Sequence, residues 1–310
     1  MLRSLLLYLS GADWAKSLIT NFFVARRVAR RFVAGETLEE AIAAIGRLNA
    51  QGLLATVDYL GESVQSRTDA EQAAEEYLVI LDAIAASKVQ ATASLKLTQL
   101  GLDVSEDICL ANMRRILQRA KERGNHITID MESSDYTDRT LRIYRTLRHD
   151  YGFDNVGTVI QAYLYRSEQD MAELHEEGAY VRLCKGAYNE PPDRAFPRKR
   201  DVDANYIKLM KAYLGDSANS NDAYLCIATH DARIIDETRR YIQQHNIPHN
   251  RFEFQMLYGI RSDLQQELAQ QGYKMRVYVP FGTQWYPYFM RRLAERPANL
   301  AFFVSNLLRG

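Results

Sequence analysis

The sequence predicts a single α/β domain of (β/α)8 barrel type. Three observations predict it: eight short apolar runs, segments of helical apolar spacing between them, and a 310-residue chain with 47% hydrophobic and 25% charged residues, enough to fill one large core. Taken in order, residues 1–50 read as an N-terminal helical extension, with GETLEEAIAAIGRLNAQG (35–52) helical ahead of the first strand, and 51–310 read as the barrel. The strand runs are LLATVDYL (53–60), ATASLKL (91–97), HITIDM (126–131), VGTVIQAYLY (156–165), YVRLCKG (180–186), AYLCIATH (223–230), RFEFQML (251–257) and KMRVYVP (274–280). Between them, ICLANMRRILQRAKERG (108–124) and ARIIDETRRYIQQHN (232–246) carry helical spacing, and Asp231 stands where an N-cap belongs. Strand alternating with helix in this way is the pattern of a parallel barrel. The last element, WYPYFMRRLAERPANL (285–300), reads as a helix with Tyr288, Arg291, Arg292 and Glu295 on one polar stripe. Phe289, Met290, Leu293 and Ala294 fall on its opposite, apolar face.

Composition excludes several functions. Lys plus Arg and Asp plus Glu both total 39, so no overall field recruits nucleic acid, and ARRVARR (25–31) reads equally well as a solvated helix face. Cys109, Cys184 and Cys226 are far apart, which argues against a disulfide framework or a zinc site and for a reducing compartment. His245 and His249 flank Pro248, a helix breaker, so they do not make a metal pair. The apolar run Leu5–Leu9 is shorter than the core of a secretion signal, and no stretch is long enough to span a bilayer. The chain lacks a GxGxxG motif, which disfavours a Rossmann dinucleotide site.

In barrels of this kind chemistry sits at the C-terminal ends of the strands. Here those ends bear Asp58 and Glu62, Lys96, Asp130 and Met131, Gln161, Arg182 and Lys185, Thr229 and His230, Glu253 and Gln255, and Tyr278. A rim so rich in cations and hydrogen-bond donors implies a polar, anionic ligand, because buried unpaired charge costs several kcal/mol. The paired arginines of the last helix fit the same ligand, since a guanidinium fork grips a carboxylate through two parallel hydrogen bonds. A surface ion-pair ladder with Glu295 is the plainer alternative for that stripe.

In this order, SLKL, TID, VIQAY, VRLCKGAY, ATH, EFQMLYG, VYVPFG and YFMRRLAERP resemble the motifs of the flavin-dependent proline dehydrogenases, over about residues 35–305. The length is similar to that of the small monofunctional bacterial enzymes, without an aldehyde dehydrogenase domain. The resemblance implies a distorted barrel whose last helix lies over the mouth, non-covalent FAD, and oxidation of L-proline to Δ1-pyrroline-5-carboxylate with electrons passed to a membrane quinone. It assigns Arg291, Arg292, Lys96 and Tyr288 to the substrate, the two arginines and Lys96 holding its carboxylate. Asp130, Arg182 and Tyr278 become catalytic, Arg182 lying beside flavin N5. Met131, Gln161, Arg182, Lys185, Gly186, Ala187, Tyr188, Thr229 and His230 become cofactor contacts. Glu62 matches a gating acid, and Glu295 orients the arginine stripe from behind. Asn189 stands where the bifunctional relatives have tryptophan, a departure that puts aromatic stacking at that position in doubt.

Quinone reduction further implies a cytoplasmic protein in peripheral contact with the inner face of the cell membrane. SLITNFFVARRVARRFV (17–33), which mixes aromatics with arginines, is the candidate surface, with packing on the barrel as its alternative. Two other readings stay open: a Schiff-base aldolase using Lys96 or Lys185, and a non-catalytic membrane or partner scaffold using ARRVARR and the C-terminal AFFVSNLLRG (301–310).

Overall fold

Eight parallel strands pair in chain order and close when the last meets the first. They are β1 (Leu54–Tyr59), β2 (Ala91–Leu95), β3 (Ile127–Ile129), β4 (Val156–Gln161), β5 (Tyr180–Cys184), β6 (Tyr224–Ala228), β7 (Phe252–Leu257) and β8 (Met275–Phe281). The computed structural model describes residues 29–61, 63–215 and 222–295, with backbone alone at 291 and 293–295. Glu62, the side chains of Arg291 and Glu295, most of 17–33 and all of 301–310 therefore lie outside the described residues. Seven of the eight strands fall within their apolar runs, and β8 extends one residue past its run, to Phe281. Lys96, Asp130, Met131, Thr229 and His230 lie one or two residues beyond their strand ends, on the rim itself.

The strands sort their side chains with a period of two. Ala55 and Val57, Ala93 and Leu95, Val181 and Leu183, and Leu225 and Ile227 are buried in the apolar layer shared with the surrounding helices. The alternate positions face the barrel interior, where Thr56 meets Ser94, Arg276 meets Thr92 and Arg182 meets Ser94 across strands. The interior is therefore polar, unlike the layers of branched apolar residues that fill many barrels.

Among the described residues nine α-helices surround or cap the strands. They are α1 (Leu38–Asn49), α2 (Arg67–Ser87), α3 (Glu106–Glu122), α4 (Thr137–Arg145), α5 (Ser167–Glu176), α6 (Lys199–Gly215), α7 (Ala232–Gln244), α8 (Ser262–Gln270) and α9 (Trp285–Glu295). Helix α1 starts at a capping box, Thr37 accepting from the Glu40 N–H while Glu40 accepts from the Thr37 N–H. Asp231 caps α7 by accepting from the Arg233 N–H. Helix α1 packs against β8, β1 and α2, on the flank that the helix after the last strand covers in a regular barrel.

That leaves α9 to pack elsewhere. Its Trp285, Tyr286, Phe289 and Met290 cluster with Phe32 and Val33, with Leu60 beyond β1 and with Ile260 beyond β7, all at the C-terminal end of the strands. The segment before α1 is tied to the same end, Ala34 N–H donating to the Pro280 carbonyl and Gly282 N–H to the Gly35 carbonyl. Gly259, at φ +70°, is required there, because a Cβ would collide with the Arg31 carbonyl. No helix of the described residues is long and apolar enough to cross a membrane.

Candidate active site

Asp130 is the hub of the rim. Its Oδ1 accepts from Arg182 Nη1 at 2.6 Å and its Oδ2 from the Tyr278 hydroxyl at 2.6 Å, while Lys96 Nζ stands 3.8 Å from Oδ2. Residues just past β2 and β3 and on β5 and β8 are thus joined at one carboxylate. Lys96 also donates to both oxygens of Asp58, each at 3.4 Å. Arg182 is held at two further corners, Nε donating to Gln255 Oε1 at 2.6 Å and Nη2 to Ser94 Oγ at 2.9 Å, and its guanidinium lies 5.3 Å from the Tyr278 ring centroid.

The electrostatics follow from this packing. Burial alone would push the Lys96 amine down, yet the Asp58 and Asp130 carboxylates outweigh it and hold the amine above its ordinary value. Arg182 is stabilised as a cation in the same way, against burial, by Asp130. Burial raises the Asp58 carboxyl, Lys96 opposing and Asp130 reinforcing the rise. Burial and the Asp130 charge together push the Tyr278 hydroxyl well up, so it acts as a donor. The mouth is a set of fixed charges.

The cofactor candidates line the neighbouring strand ends. Gln161 on β4 is buried and donates to the Glu132 carbonyl at 2.7 Å, and Met131, which precedes Glu132, is buried. After β5, Gly186 takes φ +107°, and a Cβ there would collide with the Tyr163 ring. Lys185 turns toward α6 and α7, donating to Asp203 and, at 2.8 Å, to Asp231, which also draw Lys199. Ala187 is half-buried, and Tyr188 lies close enough to Lys96 to add to its electrostatic surroundings, while Asn189 is exposed. Thr229 is buried, and His230 Nε2 accepts from the Leu257 N–H at 2.9 Å.

The arginine helix departs from the amphipathic expectation. Tyr288 and Arg292, placed on the polar stripe, are 6% and 8% exposed, hardly more than Phe289 and Met290 on the apolar face. Arg292 stacks its guanidinium 5.0 Å from the Tyr288 ring centroid. A solvated ion-pair ladder is thereby ruled out for Arg292, because a helix seated on the barrel end buries both of its faces.

Sequence reasoning passed over Ser94 and Arg276 and gave no role to Gln255, and Glu253, read as a rim residue, is instead the second residue of β7, at the opposite, N-terminal end of the strands. Each stands two residues from a rim residue on the same strand or across from one, so the period-two rule could have found them. Asp231 was legible as a helix cap but not as the partner of Lys185.

The chain is similar to known proteins along most of its length. A family model described as proline dehydrogenase matches residues 41–305. Proline dehydrogenase 1 of Bacillus subtilis strain 168 is 46% identical over 312 aligned residues, covering 100% of both chains. The proline dehydrogenase of Deinococcus radiodurans is 44% identical and covers 91% of each chain. Among solved structures, proline utilization A from Bdellovibrio bacteriovorus, inactivated by N-propargylglycine, superposes with a TM-score of 0.82 at 27% identity, over 91% of this chain and 33% of that one.

Proposed function

The chain belongs to the proline dehydrogenase family and is an enzyme of that class; on that premise we propose that it oxidises L-proline to Δ1-pyrroline-5-carboxylate, with non-covalent FAD taking the hydride and a membrane quinone taking the electrons onward. The observation that carries this reading is the Asp130 hub, which locks a cation, a phenol and an ammonium at the barrel mouth. Hydride transfer needs no activated nucleophile, and it does need fixed charge and fixed position.

The rim fits a flavin. Gly186 lets the turn after β5 pack directly against the Tyr163 ring, where a Cβ would collide. Gln161, Met131, Thr229 and His230 line adjacent strand ends, with Lys185, Ala187 and Tyr188 in the turn after β5. When bound, the flavin supplies the two-electron acceptor, and a neighbouring cation favours its more electron-rich reduced form.

In this reading Arg182 is that cation. Asp130, Ser94 and Gln255 hold its guanidinium from three sides, so it keeps its charge and its plane as substrate and product exchange. Arg291, Arg292 and Lys96 are assigned to the proline carboxylate, and Tyr288 and Tyr278 to its ring. Lys96 Nζ, held protonated by Asp58 and Asp130, serves as a cation and not as a proton acceptor. Glu62 and Glu295 are assigned the gate and the support of the arginine stripe. Peripheral membrane contact, which the quinone requires, is assigned to a surface near the termini, and the location to the cytoplasmic side of the membrane; within 17–33, Ala29, Phe32 and Val33 are buried against α9, which favours packing for that stretch.

The aldolase alternative requires an amine of lowered basicity. Lys96 is shifted the opposite way, and Lys185 is engaged by two carboxylates. The decisive experiment is anaerobic addition of L-proline to the purified protein. Bleaching of a yellow chromophore that denaturation releases as FAD is the expected result; a colourless protein, or a flavin that proline leaves oxidised, overturns the reading. Flotation with anionic liposomes at low salt tests the membrane assignment, and absence of association removes it.

A further inference from the structure

The charged residues of the barrel interior form one continuous column from base to mouth. At the base, Arg276 grips Glu253 with two N–H groups, Nε to Oε1 at 2.6 Å and Nη2 to Oε2 at 3.0 Å. Tyr180 and Tyr224 donate to the same carboxylate at 3.2 and 3.4 Å. Above it, Gln255 donates from Nε2 to Glu253 Oε1 at 2.6 Å and accepts at Oε1 from Arg182 Nε at 2.6 Å. From Arg182 the column continues through Asp130 to Lys96 and Asp58. Signs alternate along it: Arg276, Glu253, Arg182, Asp130, Lys96, Asp58.

Gln255 is the one neutral link, and its chemistry has a single solution. A guanidinium only donates and an ionised carboxylate only accepts, so the amide oxygen must face Arg182 and the amide NH2 must face Glu253. Both neighbours being buried, at 5% and 1% exposure, neither end of the amide has water as an alternative partner. A shorter or apolar side chain would leave the Arg182 Nε–H unmatched and one corner of the guanidinium loose. A carboxylate at this position would crowd Glu253 with a like charge and place a second anion on Arg182 beside Asp130.

We propose that Gln255 is a positioning residue for the reaction: clamped between Glu253 and Arg182, it fixes the plane of the Arg182 guanidinium and keeps the Glu253 carboxylate off it, so that the Arg182 charge is presented to the cofactor. The inference rests on the proposed flavin chemistry and adds to it a residue that touches neither substrate nor reacting atoms.

The test is Gln255→Met, which keeps the volume and removes both hydrogen bonds. The midpoint potential of the bound flavin is read first, then the limiting rate of flavin reduction at saturating proline and the proline concentration for half-maximal rate. The expected result is a reduction equilibrium at least tenfold less favourable, about 30 mV lower for a two-electron couple. The limiting rate should fall about tenfold, short of the ~100-fold that a misplacement by ~1 Å can cost. Half-saturation by proline should be unchanged. In the Arg182→Met background, Gln255→Met should shift the potential no further, because the effect passes through Arg182.

A lowered melting temperature or FAD content with a wild-type potential per bound flavin overturns the proposal, and so does an undiminished shift in the double variant. If Gln255→Met does not accumulate as flavoprotein, the potential is read on Gln255→Asn, whose amide is one methylene too short to span both partners; an unchanged potential there overturns it equally. Wild-type protein that lacks FAD, or that proline does not bleach, refutes the functional reading before any variant is made, and this inference with it.

Discussion

Two carboxylates, Glu253 fully buried and Asp130 half-buried, organise the two ends of the barrel, and they are built differently. At the base Glu253 is saturated: Arg276 through two N–H groups, two tyrosine hydroxyls and the Gln255 amide satisfy it. Burial would raise its pKa, yet Arg276 and the hydrogen bonds more than offset that, and it is lowered. At the mouth Asp130 is shared among Arg182, Tyr278 and Lys96, and its neighbour Asp58 is raised by burial despite Lys96. The base closes one carboxylate against one arginine at short range. The mouth spreads two carboxylates over two cations with looser Lys96 contacts of 3.4 and 3.8 Å. The same residue types fill every valence at the base and hold a shared charge at the mouth.

The largest effect should come from breaking the base. Glu253→Ala leaves Arg276 buried without its counter-ion and should cost about 3–5 kcal/mol of unfolding free energy, read from the urea midpoint. A cost below that of Asp130→Asn would erase the distinction between the two ends.

Next is the mouth. Asp130→Asn keeps the shape and removes the charge shared by three partners, so the limiting rate of flavin reduction should fall on the order of 10²-fold with FAD still bound. Rapid-mixing measurement of a near wild-type rate would demote Asp130 to a packing role.

A smaller, selective effect is expected above the mouth. Arg292→Lys replaces a fork by a point charge, and KM for proline should rise roughly tenfold, in line with the ~1.5–3 kcal/mol of a charged hydrogen bond. Unchanged proline affinity would take Arg292 out of the carboxylate clamp.

The smallest concerns pH. Burial, then the nearby Arg276 charge, lowers His126 to about 3, where its ring packs 4.3 Å from Tyr180. The unfolded chain takes up a proton near pH 6.5 that the native base refuses, so this contribution is fully present above about 6.5 and is lost as pH falls toward 3. His126 should account for about 1 kcal/mol of stability lost between about pH 6.5 and 5.5. Glu253 loses its own contribution only below the carboxylate range, and Asp58, being raised, has the opposite sign. Stability curves of wild type and His126→Gln that run parallel through this window would contradict the assignment.

Much of the architecture was legible because strands and helices are local patterns. The strands follow the apolar runs, β8 alone passing its run by one residue, since the outward residues, such as Val57, Leu95 and Ile227, must meet the helical layer whatever lies opposite. The Asp231 cap was legible for the same reason, its bond reaching only two residues along the chain. Helix boundaries moved by a turn or less, 108–124 becoming 106–122.

What was not legible is who meets whom. Asp130 and Tyr278 are 148 residues apart, Arg182 and Ser94 are 88, and Arg182 and Gln255 are 73. Nothing in the order of residues says which inward-facing groups share a level of the barrel. The polar stripe of α9 misled about solvent exposure for a related reason: amphipathic spacing tells which residues share a face, and only packing tells whether that face meets water. Here α1 covers the flank between β8 and β1, so α9 settles on the strand ends and takes Arg292 out of solvent. By itself, then, the sequence determined the eightfold alternation and the polar character of the rim, both consequences of short-range periodicity. Closure of the barrel decided the partners, because only a closed ring of strands brings residues from opposite sides of the circle within hydrogen-bonding distance.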